Sequence, residues 1–159
     1  MNKFQKSTSI LFIMVLSLLL HSNSAALANN ESPVGTWRSI DDKTGKPTSL
    51  IEITLIDNML QGKIIKLLNP NKHSSPSEFN PLCKKCKGER ANQPITGMII
   101  LWGVIQDGDH WGKGKILDPK KGKNYKVKLS LTNNGQKLKV RGYIGTPALG
   151  RTQIWERVN

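Results

Sequence analysis

Cys83 and Cys86 are the two cysteines of this 159-residue chain, with two lysines between them. A C-x-x-C pair supports three chemistries. In an oxidising compartment the thiols close a local disulfide. As thiolates they form half of a tetrahedral zinc site, which needs two further ligands. Outside the first 28 residues, which hold His21, the imidazoles on offer are His73 and His110, and neither has ligand spacing to the pair. As a redox pair they draw on Lys84, Lys85 and Lys87, whose charges favour the thiolate. Redox motifs of this kind open a helix after a strand, whereas Lys87-Gly88 follows here. The disulfide is the simplest reading; redox and metal chemistry stay open, and no metal site is predicted.

The carboxylates give less. Asp41-Asp42 and Asp118 are the acids whose placement could serve acid–base work. Asp41-Asp42-Lys43-Thr44-Gly45 and Asp118-Pro119-Lys120-Lys121-Gly122 also read as turns, in which Asp accepts hydrogen bonds from its own loop. No Ser/His/Asp order, phosphate loop, H-E-x-x-H or EF-hand run occurs. The expectation is a protein that is not an enzyme and holds no cofactor. Trp37, Trp102, Trp111, Tyr125, Tyr143 and Trp155 are scattered along the chain. They either pack a core or line a cavity for a small apolar ligand.

These residues need elements to hold them. The chain carries 24 Lys and Arg against 11 Asp and Glu, a net charge of +13, with 37% hydrophobic residues. That is a basic but foldable composition. Residues 1–28 read as a cleaved signal peptide: Lys3 and Lys6 precede the apolar run Ile10 to Leu20, and Ala26-Leu27-Ala28 is a cleavage site. Residues 29–159 then form one domain, exported to the periplasm or secreted. The apolar run is too short to span a bilayer comfortably.

Within that domain the apolar period is two, which predicts strands and no helices. Tyr125 to Leu131 alternates cleanly, and Asn133-Asn134-Gly135 turns it into Lys137 to Tyr143, with Leu138 and Val140 inward. Ile51, Ile53 and Leu55 alternate with polar residues before Asp57-Asn58 turns the chain into Leu60 to Leu67. Met98 to Gln106, Trp111 to Leu117, Val34 to Ser39 and Thr152 to Val158 complete about eight strands. An all-β sheet of that size without helical cover hides its edges by closing on itself. The expectation is a single antiparallel up-and-down barrel of roughly eight strands, favoured by the sequential hairpins over the alternative of a two-sheet sandwich. One long irregular stretch, 68–96, contains the cysteines; a loop of that length is functional or loosely ordered.

Gly35-Thr36-Trp37 on the first strand resembles the G-x-W motif of lipocalins. The resemblance implies that Trp37 closes one barrel end beneath an Arg of the last strand, Arg157 or, as second choice, Arg151. A wider series resembles the secreted bacterial family called domain of unknown function 2147. It comprises Pro33-Val34-Gly35-Thr36-Trp37, Asp41 to Lys46, Cys83-Lys84-Lys85-Cys86, Gly114 to Pro119, Gly122-Lys123-Asn124-Tyr125, Leu138 to Tyr143 and Gly150 to Trp155. That family implies a lipocalin-like barrel and no established reaction. Asp42, Trp102, Asp118, Tyr125, Arg141, Tyr143, Arg151 and Trp155 are the candidate ligand or family-motif residues.

Three functions follow as expectations. The first is an exported lipocalin-like binding protein holding a small lipophilic ligand. The second is a structural or interaction module with a filled barrel, whose basic exterior or long loop engages an anionic envelope component or an acidic protein. The third is a redox or metal protein using Cys83 and Cys86. Nucleic acid is not an expected partner, since no binding motif is present. A core sealed by large side chains favours the second reading over the first.

Overall fold

The computed structural model describes residues 31–68 and 80–158. The leader at 1–28 and His73 lie outside the described residues. Nine strands follow in order: β1 Gly35–Ile40, β2 Pro47–Ile56, β3 Met59–Leu67, β4 Ile99–Asp107, β5 His110–Gly112, β6 Lys115–Asp118, β7 Lys123–Thr132, β8 Lys137–Tyr143 and β9 Arg151–Val158. The helical pieces among the described residues are two single 3₁₀ turns, Gly88–Arg90 and Pro147–Leu149.

Consecutive strands pair antiparallel, with β5 and β6 following one another between β4 and β7, and β9 returns to pair with β1. The sheet therefore closes into a barrel with no free edge. Tight turns set the register. Asp57 and Asn58 both take positive φ, 49° and 62°, the pattern of a two-residue type I′ hairpin. Asn133, Asn134 and Gly135 do the same between β7 and β8.

The strand expected over Trp111 to Leu117 is broken into β5 and β6. Trp111 faces Leu129 while Lys115 faces Lys126, so one extra residue sits on the β5–β6 side, as in a β-bulge. Lys113 adopts φ 64° there. Gly114 is pressed against β4, where a Cβ would lie 2.5 Å from the Trp102 carbonyl oxygen. Counted as one interrupted strand, β5 and β6 make this an eight-stranded meander. Leu55 also departs from expectation. It continues the β2 alternation but is 57% exposed, because β2 runs past the end of the core.

Alternation places the apolar faces inside. Ile53 of β2, Leu60 of β3, Val104 of β4, Val127 and Leu129 of β7 and Leu138 of β8 are each at most 1% exposed. Side chains lining a water-filled space would carry accessible area, and these carry almost none. At their level the barrel is filled by side chains and leaves no water-accessible space.

Candidate functional site

The antiparallel order sorts the connections between two ends. At one end lie the N-terminus of β1, the C-terminus of β9 and the β2–β3, β4–β5 and β7–β8 turns. At the other lie the β1–β2 loop, the β3–β4 strap, the β6–β7 turn and the β8–β9 loop. The ends have different chemistry.

The first end is a built closure. Trp37 is fully buried and donates from Nε1 to the Pro33 carbonyl at 2.7 Å. Arg157 Cζ sits 4.3 Å from the centroid of its ring. The guanidinium then donates to three backbone carbonyls: Gly135 at 2.8 Å, Val34 at 3.0 Å and Ser32 at 2.7 Å. One residue thus ties the β7–β8 turn to the segment entering β1. Burial pushes the Arg157 pKa down from its ordinary value, but a guanidinium stays charged at any physiological pH. Gly35 has φ 130°, and a Cβ there would come within 2.9 Å of Arg157 Nη1. Arg151, the second choice for this stack, lies at the opposite end.

The second end carries the strap. Cys83 and Cys86 form a disulfide with Cα atoms 5.4 Å apart. Both cysteines are buried and belong, with Met98, Ile100 and Leu117, to the core cluster. Closing so small a ring contributes about 2 kcal/mol by chain entropy, so its local effect is mainly on the strap's shape. Cys83 N–H donates to Gln93 O at 2.8 Å, and Asn92 N–H to Cys83 O at 3.1 Å. Arg90 holds the outer turn down, its Cζ 4.4 Å from the Trp102 ring centroid. The strap then meets the β6–β7 turn. Cys83 Sγ lies 3.3 Å from the Pro119 carbonyl oxygen, and the Gly122 backbone packs directly on Lys85 O. The described part of the expected loop is therefore an ordered cap over one side of the barrel mouth.

The carboxylates of this end serve its turns. Asp41 Oδ1 accepts from Lys43 N–H at 3.1 Å, Thr44 N–H at 3.0 Å and the Thr44 hydroxyl at 3.1 Å. The Thr44 and Lys43 amides hold its pKa below the ordinary value. Asp118 caps the β6–β7 turn through Lys120 N–H at 3.0 Å and Lys121 N–H at 3.2 Å. Asp42 forms a two-pronged pair with Arg151, across Oδ2 to Nε at 2.6 Å and Oδ1 to Nη2. That hydrogen-bonded pairing lowers the Asp42 pKa and raises that of Arg151. Arg141 is likewise occupied. It donates to Pro147 O at 2.6 Å, Ala148 O at 3.2 Å and Thr152 Oγ1 at 2.8 Å, shaping the β8–β9 loop.

What remains is cationic. Lys84, Lys85 and Lys87 of the strap and Lys120 of the β6–β7 turn are exposed and have no ion pair among the described residues. Lys43, Lys46, Lys121 and Lys123 ring the same end. The turns of the Trp37 end carry Asp57, Asp107 and Asp109, with Lys113 paired to Asp107 at 3.2 Å and His110 beside Asp109. Among the described residues the loop end, even with exposed Glu89 on the strap, is therefore richer in cations than the Trp37 end, while further lysines line the strand walls.

The proposed site residues divide accordingly. Asp42, Asp118, Arg141, Tyr143 and Arg151 come together at the loop end, with half-buried Tyr125 below them on β7. Trp102 lies under Arg90, and Trp155 is buried inside the barrel at 1% exposure. Their separation along the chain hid this grouping until the strand order was known. The sequence reading passed over an interior polar row. Ser39 faces Trp155 on one side and Ser49 on the other. Its Oγ lies 2.8 Å from Ser49 Oγ and 2.6 Å from Thr48 Oγ1. Trp155 Nε1 is buried beside this row without a hydrogen-bond acceptor among the described residues. The alternation that places Trp37 inward also places Ser39 inward, which was the available signal.

A closed meander barrel with G-x-W on its first strand and an Arg of its last strand stacked on that Trp has the architecture of a lipocalin-like barrel. Residues 35–157 match the profile of the family described as "Uncharacterized protein conserved in bacteria (DUF2147)", and the chain belongs to that family. No curated relative matches the sequence. Among solved structures the chain resembles protein HP1028 from Helicobacter pylori, described as belonging to the lipocalin family. The identity is 19%, the match covers 80% of this chain and 84% of that one, and the TM-score is 0.66. It also matches a mutant of the fluorescent protein UnaG at 16% identity, covering 79% of this chain and 96% of that one, with a TM-score of 0.43. At these identities the first likeness concerns the fold alone. Among the described residues, no helix is long and apolar enough to cross a membrane.

Proposed function

We propose that this protein is an exported, non-enzymatic interaction module: a filled lipocalin-like barrel whose basic loop end engages an anionic partner. The observation that carries the reading is the division of charge between the ends. At the loop end Asp41, Asp42 and Asp118 are engaged by the protein's own turns and by Arg151, while Lys84, Lys85, Lys87 and Lys120 stay unpaired. Cations left in solution around one rim create a field that attracts and orients an anion. The packed interior favours this reading over a lipophilic ligand held deep in the barrel.

The lipophilic-ligand reading keeps one specific support, the unpartnered Nε1 of Trp155 beside the Ser39 and Ser49 hydroxyls. A buried indole N–H without an acceptor is unfavourable, and a ligand oxygen would satisfy it.

Inorganic polyphosphate serves as the probe for the main reading. The unmodified protein binds it, and added salt weakens binding as screening shortens the range of the field. Replacing Lys84, Lys85 and Lys87 together by Glu lowers the affinity by about tenfold or more, while the matched reversal of Lys128, Lys137 and Lys139 on β7 and β8 changes it little. Calorimetric titration measures both. Equal affinity in the strap variant contradicts the reading.

Export rests on the leader-like anatomy of residues 1–28 and is favoured by the disulfide, which persists in oxidising compartments. Sequencing of protein recovered outside the cytoplasm begins at Asn29 in this account; an intact Met1 opposes it.

A further inference from the structure

We propose that the loop end docks on an anionic lipid bilayer, with Ile144 and Leu149 of the β8–β9 loop entering the interface between headgroups and acyl chains. This rests on the reading of the loop end as the partner face and names the partner's class. The two side chains are 67% and 83% exposed, the most exposed large apolar residues among those described.

Their exposure belongs to a fixed loop. Pro147–Leu149 forms a 3₁₀ turn, and the three Arg141 hydrogen bonds bind its carbonyls and Thr152 to β8. Gly142 pairs with Arg151 beneath it, and Asp42 holds Arg151. Gly150 lies so close to β8 that a Cβ there would meet Gly142 O at 2.8 Å. The loop cannot fold its apolar tips back without breaking these contacts. Tyr143, half-buried, precedes Ile144 and faces Lys126 across β7 and β8. An aromatic ring beside a lysine stem suits the headgroup level.

The surroundings select the occupant. Two apolar side chains on a projecting loop, at an end ringed by unpaired lysines, match a surface that is anionic outside and apolar just beneath. Basic residues near such a surface and apolar groups sunk into it add their contributions. The opposite end supplies the contrast. Leu55, Ile56 and Met59 are also exposed there, at 57%, 47% and 42%, but Asp57 sits in the turn between them and Asp109 nearby is exposed, charges that an anionic surface repels.

Vesicle co-sedimentation tests the proposal, using phosphatidylglycerol mixed with phosphatidylethanolamine and, separately, phosphatidylcholine alone. The protein pellets with the anionic vesicles and not with the neutral ones. The double variant Ile144→Ser with Leu149→Ser loses about tenfold or more of its vesicle affinity yet binds polyphosphate as before. The double variant Leu55→Ser with Met59→Ser keeps both activities. Circular dichroism melts confirm that each variant is folded. Unchanged vesicle binding by the Ile144/Leu149 variant overturns the proposal. So does a parent protein that binds polyphosphate but no vesicles, an outcome that leaves the basic-end reading standing. Failure to bind either probe removes both.

Discussion

Trp37→Ala lowers the stability of the barrel by about 3–5 kcal/mol. The indole is fully buried, so its removal loses transfer free energy and leaves a cavity in a wall of side chains that are themselves at most 1% exposed. Collapse is opposed because the hole lies between Arg157 above and the packed core below. Arg157→Ala costs less, about 2–3 kcal/mol, as one ring contact and three charge-assisted hydrogen bonds disappear. The Val34 carbonyl recovers water readily and those of Gly135 and Ser32 in part, since the first of these bonds is exposed and the other two are part-buried. The two losses are coupled by direct contact, so the double variant is less destabilised than the sum. Urea melts of the two single variants and the double variant measure that coupling. Additive losses would mean that the stack does not organise the barrel end.

The second large effect falls on the strap. Gly122→Ala destabilises the protein by about 2–4 kcal/mol, because two penalties meet at one position. Gly122 has φ 65°, which an L side chain adopts with strain, and an added Cβ would lie 1.9 Å from Lys85 O. A backbone carbonyl cannot rotate away as a side chain can, so the strap or the β6–β7 turn moves. Gly45→Ala is the matched control: its φ is 67°, but nothing lies within 4 Å. It shows the conformational term alone, about 1 kcal/mol. Hydrogen exchange locates the damage. In Gly122→Ala the Cys83 and Asn92 amides lose protection, while amides of β1 and β9 keep theirs. Equal melting curves for the two glycine variants would show that the strap does not bear on the turn.

Much of this fold was legible because its local signals agree. The alternation through Val127, Leu129, Leu138 and Val140, and the Asn-rich turn between them, specify one hairpin in one register. The resemblance of Gly35-Thr36-Trp37 to the lipocalin G-x-W motif implied a barrel end with an Arg of the last strand on the ring, and Arg157 stands there. Other features depend on distance in space. The break between β5 and β6 follows from the approach of Gly114 to the Trp102 carbonyl, which no local pattern announces. Asp42 and Arg151 are separated by more than a hundred residues in the chain and meet only when β9 closes on β1. Arg141 read as a motif residue available to a ligand, yet its donors are taken by the β8–β9 loop. The enrichment of lysines at one end was likewise invisible in a sequence that spreads its basic residues over outward strand positions and turns.

Polyphosphate titration followed by backbone amide NMR tests the central claim most directly, because it reports which end of the barrel the anion touches. The account predicts shifts concentrated at residues 84–87 and 119–123, small changes at Asp57 and Asp109, and an unmoved Trp155 indole signal. Shifts centred on the Trp155 indole with Ser39 and Ser49, or on the turns of the Trp37 end, would contradict it.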